Sequence, residues 1–280
     1  MAAKTRKRFR FNFRGSLCMP FAVFMLLFVI FPLCLIVYFA FTDSSGHFYV
    51  DNWGRIFTDP TKWLVIGRTF LIAALTTVFC ILIAYPIAFI LSNSKINKNK
   101  VLVYLFILPM WVNFVLRTMA LRDMVNWFTD LIFNFQLTSA HPLVGVVVGM
   151  VYDYLPFAIL PLYNQMLKMD KNQIEAAADL GANPVRVFYK VIIPMTVPGI
   201  ISACTMTFMP TMSSYVIAYY MGNGKMSIIG TEIEAYANSG TQGYNPASIL
   251  SLVMLFIIGL SIFGEKLFGK KEEAKKGGIW

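Results

Sequence analysis

One carboxylate of this sequence lies within an apolar segment, between two aromatic residues. Asp153 stands between Tyr152 and Tyr154 in the apolar run 143–167. A carboxylate at the centre of a membrane helix costs roughly 2.5–3.5 kcal/mol on insertion scales, so such a residue usually faces a cavity and marks a pathway. Carboxylates attract ammonium groups by charge, and aromatic faces attract them by cation–π contact. The pattern therefore predicts a path for a cation, lined by these three side chains.

The preceding apolar segment carries further polar side chains. Trp111 and Asn113 are predicted to line the same cavity, although packing and an aromatic belt at the membrane surface explain them equally well. Arg117 would repel a cation, so we expect it to have a structural or gating role. A second interpretation of Asp153 stays open, in which it pairs with Arg117 or caps a helix break at Pro156.

The longest stretch dense in charged and helix-capping residues between apolar spans is EAAADLGANPVRVFYKVIIP, residues 175–194. Residues 171–180 are good helix formers. Gly181 is a C-terminal stop, Asn183 is a natural N-cap, and Pro184 suits the first position of a second helix. The stretch predicts a helical hairpin between membrane spans, which suggests a docking element for a cytoplasmic partner.

The sequence lacks the patterns expected of an enzyme. It has no GxxxxGK[ST] phosphate loop, because Tyr219 stands where the first glycine would be and Met226 follows Lys225. His47 and His141 are isolated, and the four cysteines form no CxxC pair. We therefore expect a chain that is not an enzyme on its own, holds no metal, and binds no cofactor itself.

Composition indicates an all-α integral membrane protein. The chain is 58% hydrophobic and 14% charged, whereas soluble domains are about half apolar and about a quarter charged. The net charge of +10 does not indicate nucleic-acid binding, because the basic residues lie at the edges of apolar runs. We expect the apolar runs of the chain to contact the lipid bilayer.

Long apolar runs divide the chain into six predicted transmembrane helices. Their bounds are 20–41, 63–91, 101–121, 143–167, 199–220 and 247–268. A basic arm covers 1–19, a membrane domain 20–268 and a tail 269–280, with the hairpin loop at 168–198. An amphipathic interfacial helix is expected at 127–135 and a short external helix at 227–237.

The distribution of Lys and Arg orients these spans. Of the basic residues, 18 fall in the arm, the 92–100 turn, the hairpin loop and the tail, against 4 in the other loops. Short loops rich in Lys and Arg stay in the cytoplasm. This predicts a multi-pass protein of the cell membrane with both termini and the hairpin in the cytoplasm.

The hairpin resembles the EAA loop of ABC-importer permeases, E-A-A-x3-G-x9-I-x-L-P. Five positions match in register: Glu175, Ala176, Ala177, Gly181 and Pro194. Val191 and Ile193 replace the Ile and Leu of the pattern with other aliphatic residues. The resemblance implies that this loop enters a cleft on an ATP-hydrolysing subunit and transmits its motion.

Three further stretches resemble the spermidine/putrescine (PotB-like) permeases. Residues 108–118 are similar to that branch's P-x-W-x-N-x-x-x-R pattern, and 149–163 and 221–230 match other segments. With the hairpin, the resemblance extends over 105–235. Glu232 and Glu234 are more acidic than this branch leads us to expect, so the ligand stays open.

The resemblance implies a six-helix type I ABC-importer permease (MetI-like) fold and a subunit that forms the translocation path for polyamines. It also implies partners: an ABC ATPase dimer that holds the ATP and Mg, a second related permease and an extracytoplasmic polyamine-binding protein. An ABC permease for another solute, such as iron, thiamine or an anion, is an open alternative. A self-sufficient secondary carrier or channel is another.

Overall fold

The computed structural model describes residues 19–43, 46–92 and 101–277, and side chains from 19 to 264 except Lys171. The N-terminal arm, the three lysines of the 92–100 turn and the basic side chains of the tail lie outside this description. The described residues are almost entirely helical, with an isolated bridge between Thr42 and Phe48.

Long helices correspond to most of the predicted spans. In chain order the helices are α1 (Met19–Ala40), α2 (Asp51–Thr58), α3 (Pro60–Ser92), α4 (Val101–Trp111), α5 (Phe114–Phe133), α6 (Leu137–Ala140), α7 (Pro142–Leu167), α8 (Lys171–Asp179), α9 (Pro184–Ser213), α10 (Val216–Met221), α11 (Ile229–Asn238) and α12 (Tyr244–Gly277). Five described helices are long and apolar enough to cross a membrane, and α4 with α5 would make a sixth.

The core is built where α3, α7 and α9 pack on one another. Small and aliphatic side chains fill it, including Cys80, Ala84, Met150, Leu162 and Ala203. α1 packs on α12 at the edge of this bundle and otherwise exposes a continuous apolar surface. Exposed apolar helix faces of this length are expected of a protein whose solvent is lipid.

The GxxxG spacing in α7 brings a short helix close to its backbone. A Cβ atom on Gly145 would lie 2.7 Å from the Met221 carbonyl oxygen, and one on Gly149 would lie 2.7 Å from the Met221 Cγ. Both distances are shorter than real Cβ contacts, so α10 fits only against glycine. A GxxxG spacing lets two helices approach closely, and here that approach is made with α10 of the same chain.

The third span differs from its prediction. A single helix over 101–121 is wrong: α4 and α5 meet at an angle of 97°. The predicted interfacial helix at 127–135 is instead the continuation of α5, which runs to Phe133. Hydropathy did not detect the turn, because Val112 is as apolar as its neighbours and Asn113 is one polar residue in an apolar run.

The fifth span also differs. It was expected to begin at 199 and to continue to 220, but α9 begins at Pro184 and ends at Ser213. A π-helical turn at Phe188–Ile192 precedes Pro194, and such a turn is one way that a helix accommodates proline. The second helix of the hairpin is therefore continuous with the membrane span.

Candidate functional site

The first candidate site is the hairpin formed by α8, the turn 180–183 and the start of α9. Gly181 has φ +79°, a left-handed conformation that favours glycine. Its N–H donates to the Ala178 carbonyl at 2.9 Å, and the Ala182 N–H donates to the Ala177 carbonyl at 3.1 Å. These two bonds make a Schellman motif. The predicted C-terminal stop at Gly181 is confirmed.

The second helix of the hairpin begins as the sequence predicts. The Asn183 side chain accepts a hydrogen bond from the Arg186 N–H at 2.8 Å, and Pro184 occupies the first turn. On the first helix, the Asp170 carboxylate accepts from the Asn172 N–H at 3.0 Å. Capped ends let these short helices hold their shape while projecting from the bundle.

The surface of the hairpin carries charged, small and apolar residues. Glu175 and Ala176 are exposed and Ala177 is half-buried. Leu180 is 89% exposed and Val185 63% exposed. The hairpin thus presents apolar and charged side chains together on its exposed surface.

Aromatic contacts connect the hairpin to the bundle. The Phe188 ring lies edge-on to Tyr85 and Phe89 of α3, with centroids 5.8 and 6.3 Å apart. The Tyr85 hydroxyl is 2.9 Å from the Thr196 Oγ1. Pro194, the last residue of the matched pattern, is exposed on α9 above this contact. A displacement of the hairpin would therefore act directly on α3.

The second candidate site surrounds Asp153 in the middle of α7. Its side chain is buried, and its Oδ1 lies 2.6 Å from the Arg117 Nε. The Thr118 hydroxyl donates to Oδ2 at 3.1 Å. The first pair is an ion pair without hydrogen-bond geometry, and both atoms lack another hydrogen-bond partner among the described residues. The open interpretation in which Asp153 pairs with Arg117 is what the structure shows.

The other residues of the predicted path are dispersed. Tyr154 is buried and its hydroxyl donates to the Pro210 carbonyl at 3.3 Å. Tyr152 is 43% exposed and lines a cavity of about 410 Å³ together with Arg117. Trp111 is 87% exposed, and Asn113 caps α5; neither lines that cavity. Thus Tyr152 reaches the cavity directly and Asp153 reaches it through Arg117.

Sequence reasoning missed Thr118 and the Pro109 carbonyl. The Arg117 Nη1 donates to the Pro109 carbonyl at 3.0 Å. Neither contact leaves a specific signal in the sequence, because an Arg-Thr pair is not diagnostic of a shared carboxylate and a backbone carbonyl is present at every position.

A third polar group joins α3 to α11 beside a cavity of about 440 Å³. The Lys62 Nζ lies 2.6 Å from a Glu232 carboxylate oxygen and 4.9 Å from the Tyr236 ring centre. Glu234 accepts instead from Asn238 at 3.2 Å. Nearby, hydrogen bonds from Thr61 hold the pKa of Asp59 below its ordinary value. Among the described residues, no group of three or more His, Cys, Asp or Glu side chains is placed to hold a metal ion.

Comparison with known proteins decides the family. Residues 69–270 match the model described as "Binding-protein-dependent transport system inner membrane component". This chain belongs to that family. Its hairpin and bundle are therefore parts of a multi-pass membrane permease subunit, and the subunit is not itself the catalyst of an ATP-driven system.

Curated relatives and solved structures agree with this assignment. The permease subunit is 31% identical to the spermidine/putrescine transport system permease protein PotB of Haemophilus influenzae, over 75% of this chain and 78% of that one. It is 29% identical to PotB of Escherichia coli K12, over 84% of this chain and 90% of that one.

The solved structures show the fold. A chain of a bacterial ABC transporter involved in the import of the acidic polysaccharide alginate matches with a TM-score of 0.71 at 16% identity, covering 90% of this chain and 94% of that one. A chain of the inward-facing MetNI methionine ABC transporter matches with a TM-score of 0.55 at 19% identity, covering 76% and 98%. The expected ABC-importer permease fold is confirmed.

Proposed function

We propose that this permease subunit forms part of the path by which an ATP-driven importer carries polyamines, such as spermidine or putrescine, into the cell. The observation that carries the cargo class is the similarity to PotB proteins over most of both chains. In our proposal the path includes Tyr152 directly and Asp153 by way of Arg117. Trp111 and Asn113 stand at the break between α4 and α5, next to Val112 of the cavity wall, and extend the proposed path there.

The proposed partners follow from the surfaces. An ATPase dimer, which holds ATP and Mg, covers the hairpin of this chain, where Glu175 and Leu180 are exposed. A second related permease completes the path, and an extracytoplasmic binding protein delivers the cargo. This arrangement requires both chain termini and the hairpin in the cytoplasm. A second structure of a bacterial alginate ABC transporter is a complex with an alginate-bound periplasmic protein, which supports a partner of that kind.

Transport by the reconstituted complex tests the cargo. The chain, co-expressed with the ATPase, second permease and binding protein of its own system, is placed in liposomes and given labelled putrescine or spermidine. We expect uptake that needs hydrolysable ATP and that excess iron, thiamine or phosphate does not reduce. If one of those solutes inhibited uptake, that solute would take the place of polyamines as the proposed cargo. Uptake by this chain alone, driven by an ion gradient, would make it a secondary carrier.

A pair of variants tests the coupling. Glu175→Lys reverses a charge on the exposed face of α8 and should lower ATPase binding and transport, while the chain still reaches the membrane. Gln173→Lys places the same cation about 200° around the helix and is the matched control. Normal cargo-stimulated ATP hydrolysis in Glu175→Lys would count against the role of the hairpin.

A further inference from the structure

The break between α4 and α5 poses a specific problem for a chain in a bilayer. Where a helix is interrupted, the last carbonyls of one half and the first N–H groups of the next lose their helical partners. At membrane depth such irregular backbone is tolerated where it is buried in protein or lines a water-filled cavity. The 97° turn at Val112 and Asn113 lies beside the cavity of about 410 Å³, so its backbone groups need polar partners from the chain or from that cavity.

Two side chains from the same short stretch supply those partners. The Asn113 carboxamide oxygen accepts from the Val115 N–H at 3.0 Å and the Leu116 N–H at 3.3 Å, which closes the start of α5. Arg117, one turn later, donates to the Pro109 carbonyl at 3.0 Å; this carbonyl also accepts from the Val112 N–H at 3.3 Å, so the arginine connects α5 to the end of α4. Residues 109, 113 and 117 are four apart, so the stretch P-x-W-x-N-x-x-x-R contains both contacts.

The neighbouring helix fixes the arginine. Asp153 of α7 lies 2.6 Å from the Arg117 Nε, so the guanidinium touches α4 through one nitrogen and α7 through another. The Phe114 and Tyr152 rings flank it, with centroids 5.7 and 6.0 Å away. A planar guanidinium can bridge two acceptors in a fixed orientation, whereas a lysine ammonium is a point charge.

We infer that Arg117 is a positioning residue that sets the angle between α4 and α5, and that Asp153 is its anchor on α7. The cavity of about 410 Å³ is lined by both sides of the break, with Pro109 and Val112 before it and Leu116 and Met124 after it. Tyr152 of α7 closes the same cavity. The angle held by Arg117 thus sets the shape of the cavity, whichever solute passes through.

A distance measurement tests the angle without any cargo. The native cysteines are replaced, and spin labels are placed at Tyr104 of α4 and Trp127 of α5, both exposed. Pulsed electron resonance on the full chain, co-purified with its partners in nanodiscs, then reports the distance between the two halves. The test variant is Arg117→Gln with Asp153→Asn, which removes the bridge without leaving a buried charge uncompensated.

We expect the double variant to broaden or displace the distance distribution. Arg122→Gln, the matched control on the same helix, should keep the parent distribution, because Arg122 contacts Asn223 and not α4. Arg117→Lys should give an intermediate distribution, since it retains the charge and loses the second donor. A double variant with the parent distribution would overturn the inference.

Uptake kinetics separate positioning from direct cargo contact. If Asp153 acts through Arg117, Asp153→Asn should lower the maximal rate, leave KM near the parent value, and alter the spin-label distance. A raised KM with an unaltered distance would make Asp153 a cargo ligand and overturn its role as anchor. The kinetic arm rests on the proposed polyamine cargo. A parent complex that fails to take up polyamines would refute that cargo, while the distance measurement would still decide the role of Arg117.

Discussion

The hairpin and the break in the third span are both helix–turn–helix elements, yet they differ in where their charged side chains lie. At the break, Arg117 donates to the Pro109 carbonyl and pairs with Asp153, which is 1% exposed, and Asn113 caps α5. At the hairpin, the caps satisfy the backbone, while Leu180 remains 89% exposed. Trp111 beside the break is equally open, at 87%. The two elements therefore differ in their charges, which the break pairs inside the chain and the hairpin leaves exposed at Glu175.

The largest expected effect is that of Arg117→Gln alone. Removing one partner of a buried ion pair typically costs about 3–5 kcal/mol, because the other charge stays buried without compensation. We expect a marked loss of folded chain after solubilisation, measured by size-exclusion yield and melting temperature. Adding Asp153→Asn should recover most of it. If the single variant is as stable as Arg122→Gln, the break is not held by this pair.

Gly181→Val tests the hairpin turn. The residue has φ +79°, and a non-glycine residue there costs about 1–2 kcal/mol through contact between its Cβ and the following carbonyl oxygen. No atom lies within 4 Å of a Cβ built at this position, so the strain is in the backbone alone. We expect weaker retention of the ATPase on co-purification. Gly181→Asn is the control, because asparagine tolerates this conformation. If both variants lost the ATPase equally, the cause would be that the interface has no room for a side chain at this position, and not backbone strain.

Phe188→Ala tests the link between the hairpin and α3. Each edge-on aromatic contact contributes about 0.5–1.5 kcal/mol beyond the buried area, and Phe188 makes two with α3. We expect the ATPase to remain bound while less cargo is moved for each ATP hydrolysed. Tyr189→Ala removes the exposed ring that lies edge-on to Phe188, with 5.4 Å between centroids, and it should weaken ATPase binding instead. An unchanged ratio of transport to hydrolysis in Phe188→Ala would rule out transmission through this contact.

The smallest effect is expected at Asp59, just before α3. The Thr61 side chain and N–H hold its pKa below the ordinary value. A lowered carboxyl pKa stabilises the folded state above the unfolded pKa, and this stabilisation disappears as pH falls through the folded value. Thr61→Val should move the pKa of Asp59 toward its ordinary value, measured by carboxyl-carbon NMR on Asp-labelled chain. An unchanged titration would mean that the Thr61 N–H alone lowers the pKa of Asp59.

Residue types and spacing were sufficient for the elements whose signals are local. Hydropathy located the long spans at 63–91 and 143–167 to within a few residues of α3 and α7, because an uninterrupted apolar run has few alternatives. Gly181, Asn183 and Pro184 defined the hairpin, since caps and left-handed turns depend on residues a few positions apart.

Features that depend on distant residues required the three-dimensional arrangement of the helices. The 97° break needs Asp153, thirty-six positions after Arg117, to hold the arginine against the Pro109 carbonyl. The hydropathy pattern predicted an uninterrupted span across this break, because one asparagine scarcely changes the mean hydropathy. The membrane span beginning at Pro184 likewise depended on a π-helical turn before Pro194. The π-helical turn is itself local, since the Ile193 N–H donates to the Phe188 carbonyl five residues earlier, but mean hydropathy does not report it.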